Sequence, residues 1–183
     1  MDKDEFLKQV KRRVAQISVG ASAIRNQGAS GLIKTSREYF ENTIDLLEFR
    51  DLLTTDKYAD YLDRLTIDLK NKFGEGGQNW GAARKGLNLF FRDVVYNKYL
   101  ADFLKVPTDD QENLKMIRNL EVPLDKDVAT GLTSVFRDLP KWTTIKKLDD
   151  KQSKQFQDKA LSYSESKGIA RVHLDLGFWR RDR

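Results

Sequence analysis

Trp80-Gly81-Ala82-Ala83-Arg84-Lys85-Gly86-Leu87-Asn88-Leu89-Phe90-Phe91-Arg92-Asp93-Val94-Val95-Tyr96 is the stretch on which the fold turns. Ala83, Leu87, Phe90, Phe91, Val94 and Val95 recur three or four residues apart, which is the spacing of an apolar helix. The apolar positions continue to Leu100, so one long helix is expected from about Trp80 to Leu104. Upstream, Gly74-Glu75-Gly76-Gly77-Gln78-Asn79 breaks the chain, because a cluster of glycines weakens any helix. Before that break lie three more stripes of helical spacing: Phe6, Leu7, Val10, Val14 and Ile17; then Tyr39, Phe40, Ile44 and Leu47, with Ser36 as the expected N-cap; then Tyr58, Tyr61, Leu62, Leu65, Leu69 and Phe73. Between the first two, the small-residue stretch Ser18 to Gly31 reads as a loop or a broken helix.

Downstream, Pro107-Thr108-Asp109-Asp110 opens a short helix carrying Leu114, Ile117 and Leu120. Asp125 stands where an N-cap belongs: Pro123 disfavours helix at Val122, while Val128, Ala129, Leu132 and Phe136 are helically spaced beyond it. A last clear helix runs from about Asp150 to Ser166. No strand alternation, internal repeat or low-complexity tract interrupts this pattern. The expected fold is all-α: a single domain over residues 1–183, built as an orthogonal bundle of about eight helices, with room for two lobes flanking a cleft.

Composition narrows the chemistry. The 183 residues include no cysteine, which removes disulfides, thiolate metal sites and thiol nucleophiles. The one histidine, His173, cannot build a multi-imidazole zinc centre, and it reads as structural. Lysine, carboxylates, tyrosine and backbone remain, and neither a metal nor a cofactor is expected. Lys plus Arg number 33 against 28 acids, a net charge of +5, which favours a polyanionic partner without being polybasic. No apolar run reaches the ~20 residues of a membrane span. Acids in Met1-Asp2-Lys3-Asp4-Glu5 replace the bases of a signal peptide, so a cytoplasmic, nucleoid-associated monomer is expected.

Two segments carry the chemistry that is left. Lys85 lies in the first turns of an apolar helix, where burial and the positive helix end disfavour an ammonium and favour the nucleophilic amine. Asp125 lies at a helix start, where backbone N–H groups keep a carboxylate ionised and ready to face a developing positive charge.

Together these residues resemble the helix-hairpin-helix DNA glycosylases, most closely the archaeal-type 8-oxoguanine DNA glycosylase/lyase. In that family a lysine follows the hairpin, and F-L-R-N-V begins five residues after it. Here Lys85 precedes Phe90-Phe91-Arg92-Asp93-Val94 at the same spacing. The second half of the family pattern, an aspartate opening the next long helix and often preceded by V-P, is similar to Val122-Pro123-Leu124-Asp125. The likeness covers about fifty residues, Gly76 to Val128. It departs from the family in three ways: Gly77-Gln78-Asn79-Trp80-Gly81 spaces its glycines more widely than G-x-G; Lys85 and Asp125 are 40 residues apart, nearly twice the usual gap; and Asp127 replaces a histidine.

The resemblance implies a bifunctional DNA glycosylase that flips a damaged or modified base from the duplex. Lys85 would be the Schiff-base nucleophile and Asp125 the catalytic carboxylate. Gly77, Gln78, Asn79, Gly81 and Arg84 would grip the DNA backbone. Arg25, Asn26 and Gln27 have the chemistry to fill the gap left by a flipped base, although an ordinary helix connection reads the same way. Trp80, Trp142, Phe178 or Trp179 would either stack on that base or fill the core. The segment 167–183, with a local charge of +3, faces phosphate or solvent. Which base is excised, and whether the role is genome repair or attack on foreign modified DNA, does not follow from the residues. Two other readings stay open: a non-catalytic helical DNA-binding module, and a helical interaction protein whose basic charge is incidental.

Overall fold

The computed structural model describes residues 1–24 and 30–179. In chain order the helices are α1 (Lys3–Ser18), α2 (Ala21–Ile24), α3 (Leu32–Asn42), α4 (Leu46–Leu53), α5 (Tyr58–Lys72), α6 (Trp80–Tyr96), α7 (Lys98–Leu104), α8 (Asp110–Ile117), α9 (Lys126–Val135), α10 (Asp150–Ser166) and α11 (Leu174–Phe178). Short 3-10 turns, Ile145–Lys147 and Arg171–His173, precede α10 and α11. Among the described residues there is no strand, so the all-α expectation stands. None of these helices is long and apolar enough to cross a membrane.

The axis of the molecule is α6. Every residue from Gly81 to Phe91 is buried, because α1, α3, α5 and the 3-10 turn at Ile145 all pack against this helix. Its aromatic pair holds the first core: Phe90 stacks on Phe40 at 4.8 Å, and Phe91 on Phe49 at 4.3 Å. A second core lies beyond Leu120, where Val122, Leu124, Val128, Leu132, Phe156, Leu174 and Phe178 join α9, α10 and α11.

Three boundaries differ from the pattern read in the sequence. The helix expected over residues 80–104 is two helices. Asn97 takes an extended backbone and its side chain accepts from the N–H groups of Tyr99 and Leu100, so it ends α6 and caps α7. Thr43 closes α3, and Asp45, accepting from the Leu47 and Glu48 N–H groups, caps α4, which splits the Tyr39-to-Leu47 stripe. Ser36 lies inside α3 rather than at its start, and its hydroxyl donates back to the Leu32 carbonyl at 2.8 Å. Gly31, with a φ of 83°, begins α3 instead.

Candidate active site

A helix as deeply buried as α6 carries three buried polar side chains, Arg84, Lys85 and Asn88, and each needs a partner to offset desolvation. Arg84 is fully engaged. Its Nε and Nη2 hold Glu121 as a bidentate pair at 2.8 and 2.9 Å, while Nη1 donates to Asp63 at 2.7 Å and to Thr66 at 3.1 Å. The guanidinium also lies over the Trp80 ring, 5.1 Å from its centre. Expected on a DNA phosphate, Arg84 is instead locked inside the protein, because two carboxylates from other elements converge on it.

Lys85 is held differently. Its Nζ donates to Asp125 Oδ2 at 3.2 Å, which is long for a charge-assisted bond. Among the described residues it has no second acceptor, although only 7% of its side chain is exposed. Lys11 shows the contrast: its ammonium is clamped by the Glu41 and Ile44 carbonyls at 2.7 and 2.6 Å. The ammonium of Lys85 thus keeps unused donor capacity beside one carboxylate.

Asp125 arrives as the sequence suggested. It has an extended backbone, and Oδ1 accepts from the Val128 N–H at 3.0 Å to cap α9. Oδ2 is left for Lys85. The segment that delivers it is pinned by Gln157, whose side chain accepts from the Val122 N–H at 3.1 Å and donates to the Val122 carbonyl at 2.8 Å. A quarter of the Asp125 side chain reaches solvent, so the pair sits under an open edge and not in a sealed core.

Further along the same face of α6, Arg92 pairs with Asp93 and with Asp175 of α11. Burial raises the Asp175 carboxyl above its ordinary value; Arg92 opposes the rise, and the negative charge of Asp125 adds to it. One turn on, Tyr96 hydrogen-bonds His173 Nδ1 at 2.7 Å with the rings stacked 5.6 Å apart. Burial lowers the imidazole pKa, so His173 favours its neutral form. Lys85, Arg92 and Tyr96 therefore make a polar seam with Asp125, Asp175 and His173.

The other expected residues divide. Asn79 caps α6 by accepting from the Ala82 N–H, and Gln78 is exposed on the turn that Gly76 permits with a φ of 78°. Gly77 is buried. Gly81 faces protein: a Cβ there would stand 2.1 Å from the Ile145 carbonyl oxygen. Phe178, open to either base stacking or a core role, takes the core role: it is buried in the second core, stacked on Tyr163 at 5.8 Å. Trp80 is half-buried and packs on that core, whereas Trp179 is exposed. Arg171, in the tail expected to face phosphate or solvent, turns inward to the Leu120 and Asn119 carbonyls at 3.0 and 2.8 Å. Arg25, Asn26 and Gln27, and the arginines from 180 onward, lie outside the described residues.

Sequence reading missed Glu121, which accepts from Arg84 and, at 3.0 Å, from Asn88. Burial alone would raise its pKa, but Arg84 outweighs it and holds the carboxyl below its usual value. The signal was present in Leu120-Glu121-Val122-Pro123-Leu124, a lone charge in an apolar run. Among the described residues no group of three or more metal-ligating side chains gathers. In comparison with known proteins, no family model, curated protein or solved structure matches this chain significantly.

Proposed function

We propose that this protein is a DNA glycosylase with lyase activity, acting on a damaged or modified base, with Lys85 as nucleophile and Asp125 as its carboxylate partner. The observation that carries the reading is the buried Lys85 ammonium, bonded at 3.2 Å to a partly exposed helix-capping Asp125 that lies 40 residues away. In this reading α5, the Gly74–Asn79 turn and α6 serve as the helix-hairpin-helix element.

The chemistry uses only groups that the chain itself supplies. Flipping the target nucleotide costs a few kcal/mol, least for a damaged base. Asp125 takes a proton from Lys85, and the freed amine attacks C1′. The C1′–N bond breaks and its electron pair leaves with the base, which gains a proton. As the sugar acquires positive charge, the nearby carboxylates stabilise it. Ring opening gives a Schiff base between Lys85 and C1′, and loss of a C2′ proton then expels the 3′ phosphate.

Borohydride reduction of reactions on duplexes bearing 8-oxoguanine, uracil, alkylated purines, oxidised pyrimidines or hypermodified cytosines tests this directly. A covalent complex is expected with one lesion class. Lys85→Gln should abolish it, and Asp125→Asn should cut turnover at least ~100-fold, on the order of a general acid–base contribution, while sparing binding. Trapping that survives Lys85→Gln refutes the assigned nucleophile. Tight DNA binding with no trapping on any duplex assigns the scaffold to a non-catalytic DNA-binding module instead.

A further inference from the structure

The residue after Asp125 opens a second feature. Lys126, Thr130, Thr133, Lys141, Trp142 and Thr143 line an open groove of about 470 Å³ between α9 and the segment leading to α10. That volume lies within the roughly 300–1,000 Å³ range of ligand pockets. Two cations, three threonines, an indole and the apolar Leu139 line the groove, and no carboxylate does. Among the described residues neither Lys126 nor Lys141 has an ion-pair partner, whereas Lys154 and Lys159 on nearby α10 are paired with Asp158 and Asp138.

The floor is rigid. Trp142 packs edge-on against buried Phe156, with ring centres 5.7 Å apart at 87°, which fixes the plane of the indole. Gln152 donates to the Lys141 carbonyl at 3.2 Å, and the backbone at Ile145 lies against Gly81 on α6. Lys146 and Lys147, both exposed and unpaired among the described residues, continue the positive track toward that packing point. A fixed indole beside unpaired lysines suits a strand that alternates phosphates with flat bases. A run of acidic residues alone would use the lysines but leave the indole without a ring to stack on.

We infer that this groove holds the flank of the DNA strand bearing the target nucleotide, with a base stacked on Trp142 and phosphates on Lys126 and Lys141. The inference rests on the DNA reading above and names where that strand runs. Lys126 follows Asp125 directly, so one end of the groove is set by the residue next to the proposed carboxylate.

The test uses the full chain and an undamaged oligothymidine, with tryptophan fluorescence and affinity read across a salt series. DNA is expected to quench the emission, and Trp142→Phe, which keeps the aromatic packing on Phe156, should remove most of that quenching. Lys126→Gln with Lys141→Gln should flatten the salt dependence of log affinity by about 1.4, since each phosphate neutralised on a single strand adds roughly 0.7 to the slope. Polyglutamate of matched charge should neither quench nor compete. An unchanged salt slope and unchanged quenching in these variants overturn the groove assignment. Equal quenching by polyglutamate does so as well, and marks an acidic-protein surface. The outcomes separate the two readings: variants that lose binding without any lesion ever being trapped keep the groove and reject the glycosylase. Trapping that is indifferent to these lysines, with the salt slope unchanged, does the reverse.

Discussion

Arg84 and Lys85 are adjacent on one buried helix, yet their surroundings engage them in opposite ways. Arg84 faces two carboxylates and a hydroxyl that use its fork of donors, whereas Lys85 has one long bond to an accessible oxygen. The first arrangement is a structural anchor, and breaking such a pair leaves a buried charge uncompensated. Its other half, Glu121, has a pH signature. Because Arg84 holds the Glu121 carboxyl below its unfolded value, the folded state gains stability from it above the unfolded carboxylate pKa. That gain is lost as pH falls through the lowered folded value. Thermal melts taken from neutral pH down through the carboxylate range should therefore show a steep acid limb, and Glu121→Gln should flatten it at the cost of lower stability at neutral pH. An equally steep limb in the variant would remove Glu121 as its source.

At the scale of elements, caps and close approaches decide where α6 begins and what it meets. Asn79 starts it and Asn97 ends it, each with a side-chain oxygen bound to the N–H groups of the following turn. Gly81 lets the Ile145 backbone approach so closely that a methyl group has no room. Gly81→Ala is expected to destabilise by at least ~1–3 kcal/mol, the usual range for overpacking, as read from denaturant midpoints. A variant as stable as the parent would mean that the 145–148 segment does not lie on α6. These elements also show what periodicity can and cannot reveal. Asp125 was legible as a cap because Pro123 and the following apolar spacing both point to it. Ser36 misled, because a serine inside a helix can donate to its own preceding turn. Asn97 and Asp45 were missed because apolar spacing on either side continued across them, masking a change of helix direction.

Over the whole molecule, the all-helical class and the pairing of Lys85 with Asp125 could be anticipated from the chain, the latter through a resemblance covering about fifty residues. The remainder of the seam could not. Arg92 meets Asp175 across 83 residues and Tyr96 meets His173 across 77, and such partners are chosen by how the second core docks on α6. No local pattern encodes that docking. The same holds for Arg171, in a tail read as facing phosphate or solvent, which is drawn inward by the Leu120 and Asn119 carbonyls.

Because α6 is enclosed from Gly81 to Phe91, its backbone amides can meet solvent only when the cores around it come apart. Hydrogen exchange should therefore be slowest from Ala83 to Phe91, with protection approaching the global unfolding free energy, and faster at the exposed start of α9. Comparable rates in the two segments would contradict the enclosure. Lys85 thus belongs to the enclosed stretch of α6, whereas Asp125 stands at a helix start where a quarter of its side chain reaches solvent. If the protein acts as proposed, the motion that would admit a nucleotide between them is expected on the carboxylate's side, with the amine as the stationary point against which it would be aligned.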